Sequence, residues 1–516
     1  MQVAPHTLDA TKPTPVVQRA RSSYDLWAIG ITIVIGGQFF GWNGGVAAGS
    51  VGFGIAVVLV GLAYVCLACS MAEMTSMLPF AGGVYGLARC TLGFYAAFVL
   101  GCCELLEYVM YSASINVALG RSVISAVPSL ESYAPLIWFI SHIFTLVLLC
   151  IGGRFFWRCN FVMAVIMIVV VAIYCFGSLP YTSWSANAGT SDNNLFQGGF
   201  EQFFASFPMA MWFFVGVEAL NTLSNEVDDP KNTIPRGQVA AAFTLFVSAL
   251  LVYVVTLGLP PGVAGLPNVL VIFNSGFTQI FKINDTQATM FSLVAEFVEV
   301  PGFLFAASNI FVALSESRLF PHELCYRSHR FGTPIYASMG VTLLSFVLCF
   351  GVTYQPDIDV ILYCMSMFFG TLTYTSQCVG YLFLKKRYRT MERTFKSPLG
   401  IYGPAFSIVV FVMCAISIVA FQPGSPTARF SIVSLLVLLS VYYHGYAKSR
   451  QTFSDEERKV LFFAHIAIHN NSKHKHRSNL RRLMDKLLSR VSAAMIPTEK
   501  TNAQASERSP NKRDIL

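Results

Sequence analysis

The 516-residue chain is 54% hydrophobic and only 12% charged, with a mean hydropathy of +0.58. That leaves too little polar surface to cover a water-soluble core of this size, so the solvent must be lipid. The net charge of +8 is no sign of a nucleic-acid partner, because the segment from Ala447 onward carries fifteen basic and seven acidic residues and the remainder is neutral overall.

The first twenty residues are polar with several prolines, so no cleavable signal peptide is expected there. Apolar stretches then recur at 28–49, 51–77, 94–119, 133–152, 160–179, 202–223, 238–259, 288–315, 335–354, 359–384, 402–421 and 428–446. Each is long enough for the ~30 Å hydrocarbon core. They predict an all-α membrane protein with twelve transmembrane helices. Basic residues in short loops are retained on the cytoplasmic side. With a cytoplasmic N-terminus, Arg121, Lys282 and Arg429 are the three of the 35 Lys and Arg that fall outside. An odd span count would destroy this asymmetry, so both termini are expected to be cytoplasmic and the protein to be integral and multi-pass, in the plasma membrane. The organisation that follows is an arm at 1–24, a twelve-helix membrane domain at 25–446 and a basic tail at 447–516.

The outer loop 180–199 is polar and has no Lys or Arg, and the loop 260–287 holds Asn284-Asp285-Thr286, a glycosylation acceptor pattern. Most of the thirteen Cys fall within spans and none in an outer loop, so no disulfide framework is expected; no Cys/His spacing resembles a metal site. In the tail, Leu480, Leu483, Met484, Leu487, Leu488 and Val491 follow helical spacing opposite Arg481, Arg482, Lys486 and Arg490. An amphipathic helix at 479–495, lying on an anionic leaflet or solvated as a regulatory tail, accounts for the pattern equally well.

Chemistry concentrates in two glycine-interrupted spans at corresponding places in the two halves. The first reads Ile35-Gly36-Gly37-Gln38-Phe39 and the second Trp212-Phe213-Phe214-Val215-Gly216-Val217-Glu218, preceded by Pro208. Glycine lowers helical propensity and frees backbone groups that hydrocarbon cannot satisfy, so paired breaks point to a substrate site. A substrate carboxylate fits N–H groups at the positive end of a half-helix; close helix packing through Gly is the alternative. Glu218 lies within a span, where unpaired charge costs at least ~2.5 kcal/mol, so it faces the interior as a ligand, a proton carrier or a partner for freed backbone. The third span adds Glu104 and Glu107 on one helix face, followed by Tyr108 and Tyr111. Either carboxylate suits an amine or a proton, Glu107 better than Glu104, and Tyr108 suits a gate.

These residues resemble the amino acid, polyamine and organocation transporters, and within them the ethanolamine-permease-like branch of amino acid permeases. The resemblance rests on Gly37-Gln38-Phe39-Phe40-Gly41-Trp42-Asn43, Ala72-Glu73-Met74, Leu78-Pro79-Phe80-Ala81-Gly82-Gly83-Val84-Tyr85, Leu106-Glu107-Tyr108 and the Trp212 to Glu218 run. Glu226, Asp229-Pro230-Lys231, Ile234-Pro235-Arg236-Gly237, Thr333-Pro334 and Lys396-Ser397-Pro398-Leu399-Gly400 extend it over residues 25–446. It implies a LeuT-like fold, a five-plus-five inverted repeat with broken helices 1 and 6. It also implies that the backbone from Gly36 to Phe39 and around Val215 and Gly216 holds the ends of the substrate. Trp212, in the same aromatic run as Phe213, would then cover the pocket, and Glu218 would couple the sixth span to its neighbours. Two departures matter: no Lys stands between Asn160 and Phe176, where proton-coupled relatives carry one, and Gln38 replaces an acidic residue of ethanolamine permeases.

The expected function is secondary active transport of an amino acid by alternating access, coupled to H+ or Na+ or to neither. An ethanolamine- or polyamine-type amine permease is the alternative, and a nutrient receptor signalling through the tail is a reading from another class. No catalytic triad, metal-ligand set or phosphate cradle appears in the spans, so neither enzyme activity nor a cofactor is expected.

Overall fold

A computed structural model describes residues 22–453, apart from short gaps at 80–81, 190–193, 329, 355, 389–390 and 423–424, together with residue 458. The arm up to residue 21 and the proposed tail helix at 479–495 lie outside the described residues. Among those described, the chain is all-helical and has no strand.

The elements in order are α1 (Ser23–Val34), α2 (Ser50–Met77), α3 (Val84–Thr91), α4 (Phe94–Ala126), α5 (Ala134–Ile151), α6 (Gly153–Ser178), α7 (Trp184–Asn187), α8 (Gly199–Ala205) and α9 (Phe207–Met211). They continue with α10 (Pro230–Leu257), α11 (Gly262–Gly265), α12 (Asn274–Phe281), α13 (Asp285–Glu316), α14 (Ile335–Tyr354), α15 (Pro356–Arg387), α16 (Tyr402–Ala420), α17 (Ser425–Tyr442) and α18 (Lys448–Arg450). Ten helices among the described residues are long and apolar enough to cross a membrane: α2, α4, α5, α6, α10 and α13 to α17. They coincide with ten of the twelve apolar stretches read from the sequence. The other two, 28–49 and 202–223, are the interrupted ones.

Local chemistry explains the boundaries. α1 begins at a capping box in which the Ser22 side chain and Asp25 satisfy each other's backbone amides. α13 begins the same way: the Gln287 amide donates to Asn284 Oδ1 at 2.8 Å, and the Asn284 amide to Gln287 Oε1 at 3.3 Å. The first residue of the glycosylation triplet is thus a helix cap. α17 runs through a π-turn at Tyr443–Ala447 into α18, carrying regular structure past the expected span end at 446.

Both interrupted segments leave the α-helical form at the break. α1 passes into a 3-10 turn at Ile35–Gln38, loses helical pairing over 39–42 with Gly41 at φ +86°, and resumes as a 3-10 turn at Asn43–Ala48. In the second half, α8 and α9 lead to turns at 212–216, and a 3-10 stretch at Val217–Glu226 follows Gly216, whose φ of +102° suits glycine alone. The bundle grips the first segment closely. A Cβ on Gly302 of α13 would stand 2.2 Å from Ile33, and one on Gly30 would stand 2.8 Å from Ala241 of α10.

Candidate functional site at the two breaks

The two breaks touch backbone to backbone. A Cβ on Gly37 would lie 2.0 Å from the Trp212 carbonyl oxygen, a separation that forbids any larger residue. The Trp212 ring covers this junction: Gly41 packs on its face, and the rings of Phe40, Tyr111 and Tyr363 lie 6.3, 5.8 and 6.0 Å away. Trp212 is 8% exposed, and Gly36, Gly37, Gln38 and Phe39 are all buried. The described conformation is closed around the junction.

Beside it lies a fully buried cluster of three carboxyl groups: Glu104 and Glu107 from α4 and Glu218 from the second break. The Tyr108 hydroxyl stands 3.4 Å from Glu104 Oε1 and 3.3 Å from Glu218 Oε1. The Tyr374 hydroxyl of α15 stands 2.5 Å from Glu107 Oε1 and 3.2 Å from Glu218 Oε1. Two hydroxyl protons are thus shared among three acids. Further donors are the Val84 amide to Glu104 at 3.0 Å, the Thr373 hydroxyl to Glu107 at 3.3 Å and the Gly216 amide to Glu218 at 3.2 Å. Among the described residues no Lys, Arg or His is a hydrogen-bond or ion-pair partner of these three. Charge at this depth calls for a counter-charge or a proton, and the fold supplies neither from a basic side chain.

The other sequence-named residues divide. Gln38 turns its amide away from the junction, donating to Ser248 Oγ at 2.9 Å and the Leu245 carbonyl at 3.2 Å on α10. Phe39 stacks on Phe273 at 4.1 Å, and Phe213 packs on Trp42 at 4.8 Å. Val215 is buried, and its amide donates to the Met211 carbonyl at 3.0 Å. Gly36, Gly37, Trp212, Gly216, Glu218, Glu107 and Tyr108 converge at the junction and the carboxyl cluster beside it.

Tyr374 and Thr373 joined the cluster without warning from the sequence, because an uncharged residue in a span carries no sign of its task. Glu296 and Glu299 of α13 are different: two acids three residues apart in an apolar run repeat the Glu104/Glu107 signal and were legible by the same rule. Both are 2% exposed. Glu296 accepts from Ser122 at 2.8 Å, and the Glu299 carboxyl group faces the Gly37 amide.

A cavity of about 330 Å³ lies elsewhere, among α4, α5, α6 and α13, lined by Leu119, Phe144, Asn160, Val294, Val298 and Pro301. Its walls are almost wholly apolar, which suits neither an ammonium nor a carboxylate.

The fold and the junction define an integral membrane protein built around two interrupted helices. By sequence comparison the chain belongs to the amino acid permease family, whose profile matches residues 26–458. It is similar to an uncharacterized transporter of Rhizobium meliloti (23% identical, covering 84% of this chain and 95% of that protein). It is similar also to the branched-chain amino acid permease BcaP of Bacillus subtilis (25%, covering 84% and 94%) and to cationic amino acid transporter 6, chloroplastic, of Arabidopsis thaliana (24%, covering 82% and 75%). The family and these relatives are transporters, not enzymes, and a small-molecule substrate follows from membership.

Proposed function

We propose that this chain is a secondary active transporter that carries a small solute with an ammonium group, an amino acid or an amine, across the plasma membrane by alternating access. The single observation behind this reading is the contact of two interrupted apolar segments at Gly37 and Trp212, beside a buried carboxyl cluster that has no basic partner among the described residues. Backbone left unpaired at such a junction is tolerated inside a membrane where it lines a site. The C-terminal end of α1 points its negative dipole end at the junction, which favours a cation there. Twelve spans with both termini cytoplasmic, arranged as two inverted five-helix repeats with the breaks in the first and sixth, would let one repeat rock against the other around that point.

The aromatic lid, Trp212 over Gly41, is the element placed to open and close. Coupling to H+ or Na+ is open to the same carboxyl cluster, since either cation answers its unmatched acidity. Relatives named for branched-chain amino acids and for cationic amino acids both favour a solute that carries an ammonium.

Counterflow into proteoliposomes holding the full-length protein tests this. A panel of labelled amino acids and amines, with and without pH and Na+ gradients, should give accumulation of at least one solute, and Gly37→Ala should abolish it. Retained binding without flux for every member would overturn transport in favour of a receptor.

A further inference from the structure

The junction already contains a carboxylate. A Cβ on Gly36 would fall 2.1 Å from Glu299 Oε2, so this oxygen occupies the space that the first break opens. The Glu299 carboxyl group faces the Gly37 amide, the neighbouring glycine of the same break. Glu299 is 2% exposed, and its Oε2 has no hydrogen-bond partner among the described residues. One turn away on α13, Glu296 Oε2 is likewise buried and unpartnered. Two residues beyond Pro301, Phe303 packs on Tyr108 and Tyr111, ring centroids 5.8 and 5.5 Å apart, while Glu296 accepts from Ser122, which places the pair further along α4 than the Glu104, Glu107 and Glu218 cluster.

Resting on the reading of this junction as the solute site, we propose that Glu299 stands permanently where the α-carboxylate of an amino acid would lie, and so selects amines that lack one. An amino acid needs an anion cradle at the glycine break for its carboxylate and a counter-charge for its ammonium. Here the cradle is filled by a side chain of the protein, and a second carboxylate is one helical turn away. A solute carboxylate brought to Gly36 and Gly37 would find the space taken by the Glu299 carboxyl group, with a second carboxyl group one turn away and no basic partner of either among the described residues. An ammonium brought to the same point meets Glu299 Oε2, an acceptor with nothing yet bound to it, and the negative end of α1. Two buried carboxyl groups on α13, one of them in the break itself, set against no basic partner among the described residues, match a mono- or diamine rather than a zwitterion. The chemical class is therefore a small primary amine or diamine, the decarboxylated counterpart of an amino acid.

The test uses matched pairs that differ by the carboxylate alone: serine against ethanolamine, ornithine against 1,4-diaminobutane, and lysine against 1,5-diaminopentane. In proteoliposomes of the wild-type protein, the unlabelled amine of a pair should compete at least about tenfold better than its amino acid. Glu299→Gln, which keeps the shape and removes the charge, should narrow or reverse that ratio by at least about tenfold, and Glu299→Asp should keep the amine preference. Equal competition within every pair, or preference for the amino acid, overturns the assignment of Glu299 while leaving transport intact. Absence of uptake for all members sinks the transport reading and this inference with it. Because competition on the wild type decides the matter alone, a variant that fails to fold does not shelter the proposal.

Discussion

Buried acids in this molecule are treated in two opposite ways. Glu73, at the end of α2, is 3% exposed and saturated: Lys385 Nζ stands 3.2 Å from Oε2, Arg393 3.3 Å from Oε1, and the Tyr381 hydroxyl and Ser397 amide donate at 2.7 and 2.9 Å. It ties α2 to the end of α15 and the segment beyond it. Glu218 is just as buried yet has tyrosine hydroxyls and one backbone amide as partners, without a cation among them. The first arrangement is complete and fastens helices together. The second lacks a positive charge, and under the proposed function that deficit is what a cationic solute would answer.

The contrast breaks first at Glu73. Glu73→Ala leaves Lys385 and Arg393 without their carboxylate, and stability should fall by about 3 kcal/mol, since removing one partner of a buried pair strands the other. Thermal unfolding in detergent should show a clearly lower midpoint, with the ratio of solutes taken up unchanged in whatever protein survives. An unaltered midpoint would remove Glu73 from the fastening role. Glu218→Gln should behave inversely. The amide keeps the shape and its oxygen accepts from the same hydroxyls, but its NH2 replaces the oxygen that accepts from the Gly216 amide, a loss of about 1 kcal/mol. The midpoint should therefore fall far less than for Glu73→Ala, while uptake drops roughly 30-fold, equivalent to ~2 kcal/mol for a charge-assisted contact.

Much of this contrast can be read from the chain before any coordinates. Ten apolar runs became ten helices, because long runs without charge have few alternatives in lipid; most ends fall within four residues of those expected, but α4 ends seven residues later, and α6 and α10 begin seven and eight residues earlier. The breaks were visible because Gly36, Gly37 and Gly216 are residues of low helical propensity inside apolar spans. Glu107 and Glu218 stood out as charges in apolar surroundings. Side-chain direction was a different matter. A 3-10 turn advances about 120° per residue against 100° for an α-helix, so the change of type at Ile35 decides where Gln38 points, and spacing alone cannot. The amide of Gln38 went to α10 and Phe39 to Phe273, while the place beside Gly36 was taken by Glu299, more than 250 residues away in sequence. Contacts of that separation leave no trace in local pattern.

Finer tests sharpen the comparison from both sides. Tyr374→Phe takes away one of the two hydroxyls shared by the three acids, which is worth about 1 kcal/mol and should raise the apparent KM for the solute roughly fivefold. Its ring contacts with Tyr64 and Phe411, centroids 5.3 and 5.2 Å apart, survive the change, so folding should not suffer. An exposed pair marks the other limit. Arg121 and Asp359 meet at 2.9 Å, closer than either cation of Glu73, but their side chains are 51% and 32% exposed. Water already screens both charges, and ordering a long arginine side chain offsets most of what remains. Arg121→Gln should therefore change the unfolding midpoint by no more than ~0.5 kcal/mol in equivalent stability and leave uptake at the wild-type rate. If it instead destabilised the protein as much as Glu73→Ala, distance rather than burial would govern these pairs, and the deficit at Glu218 would lose its meaning.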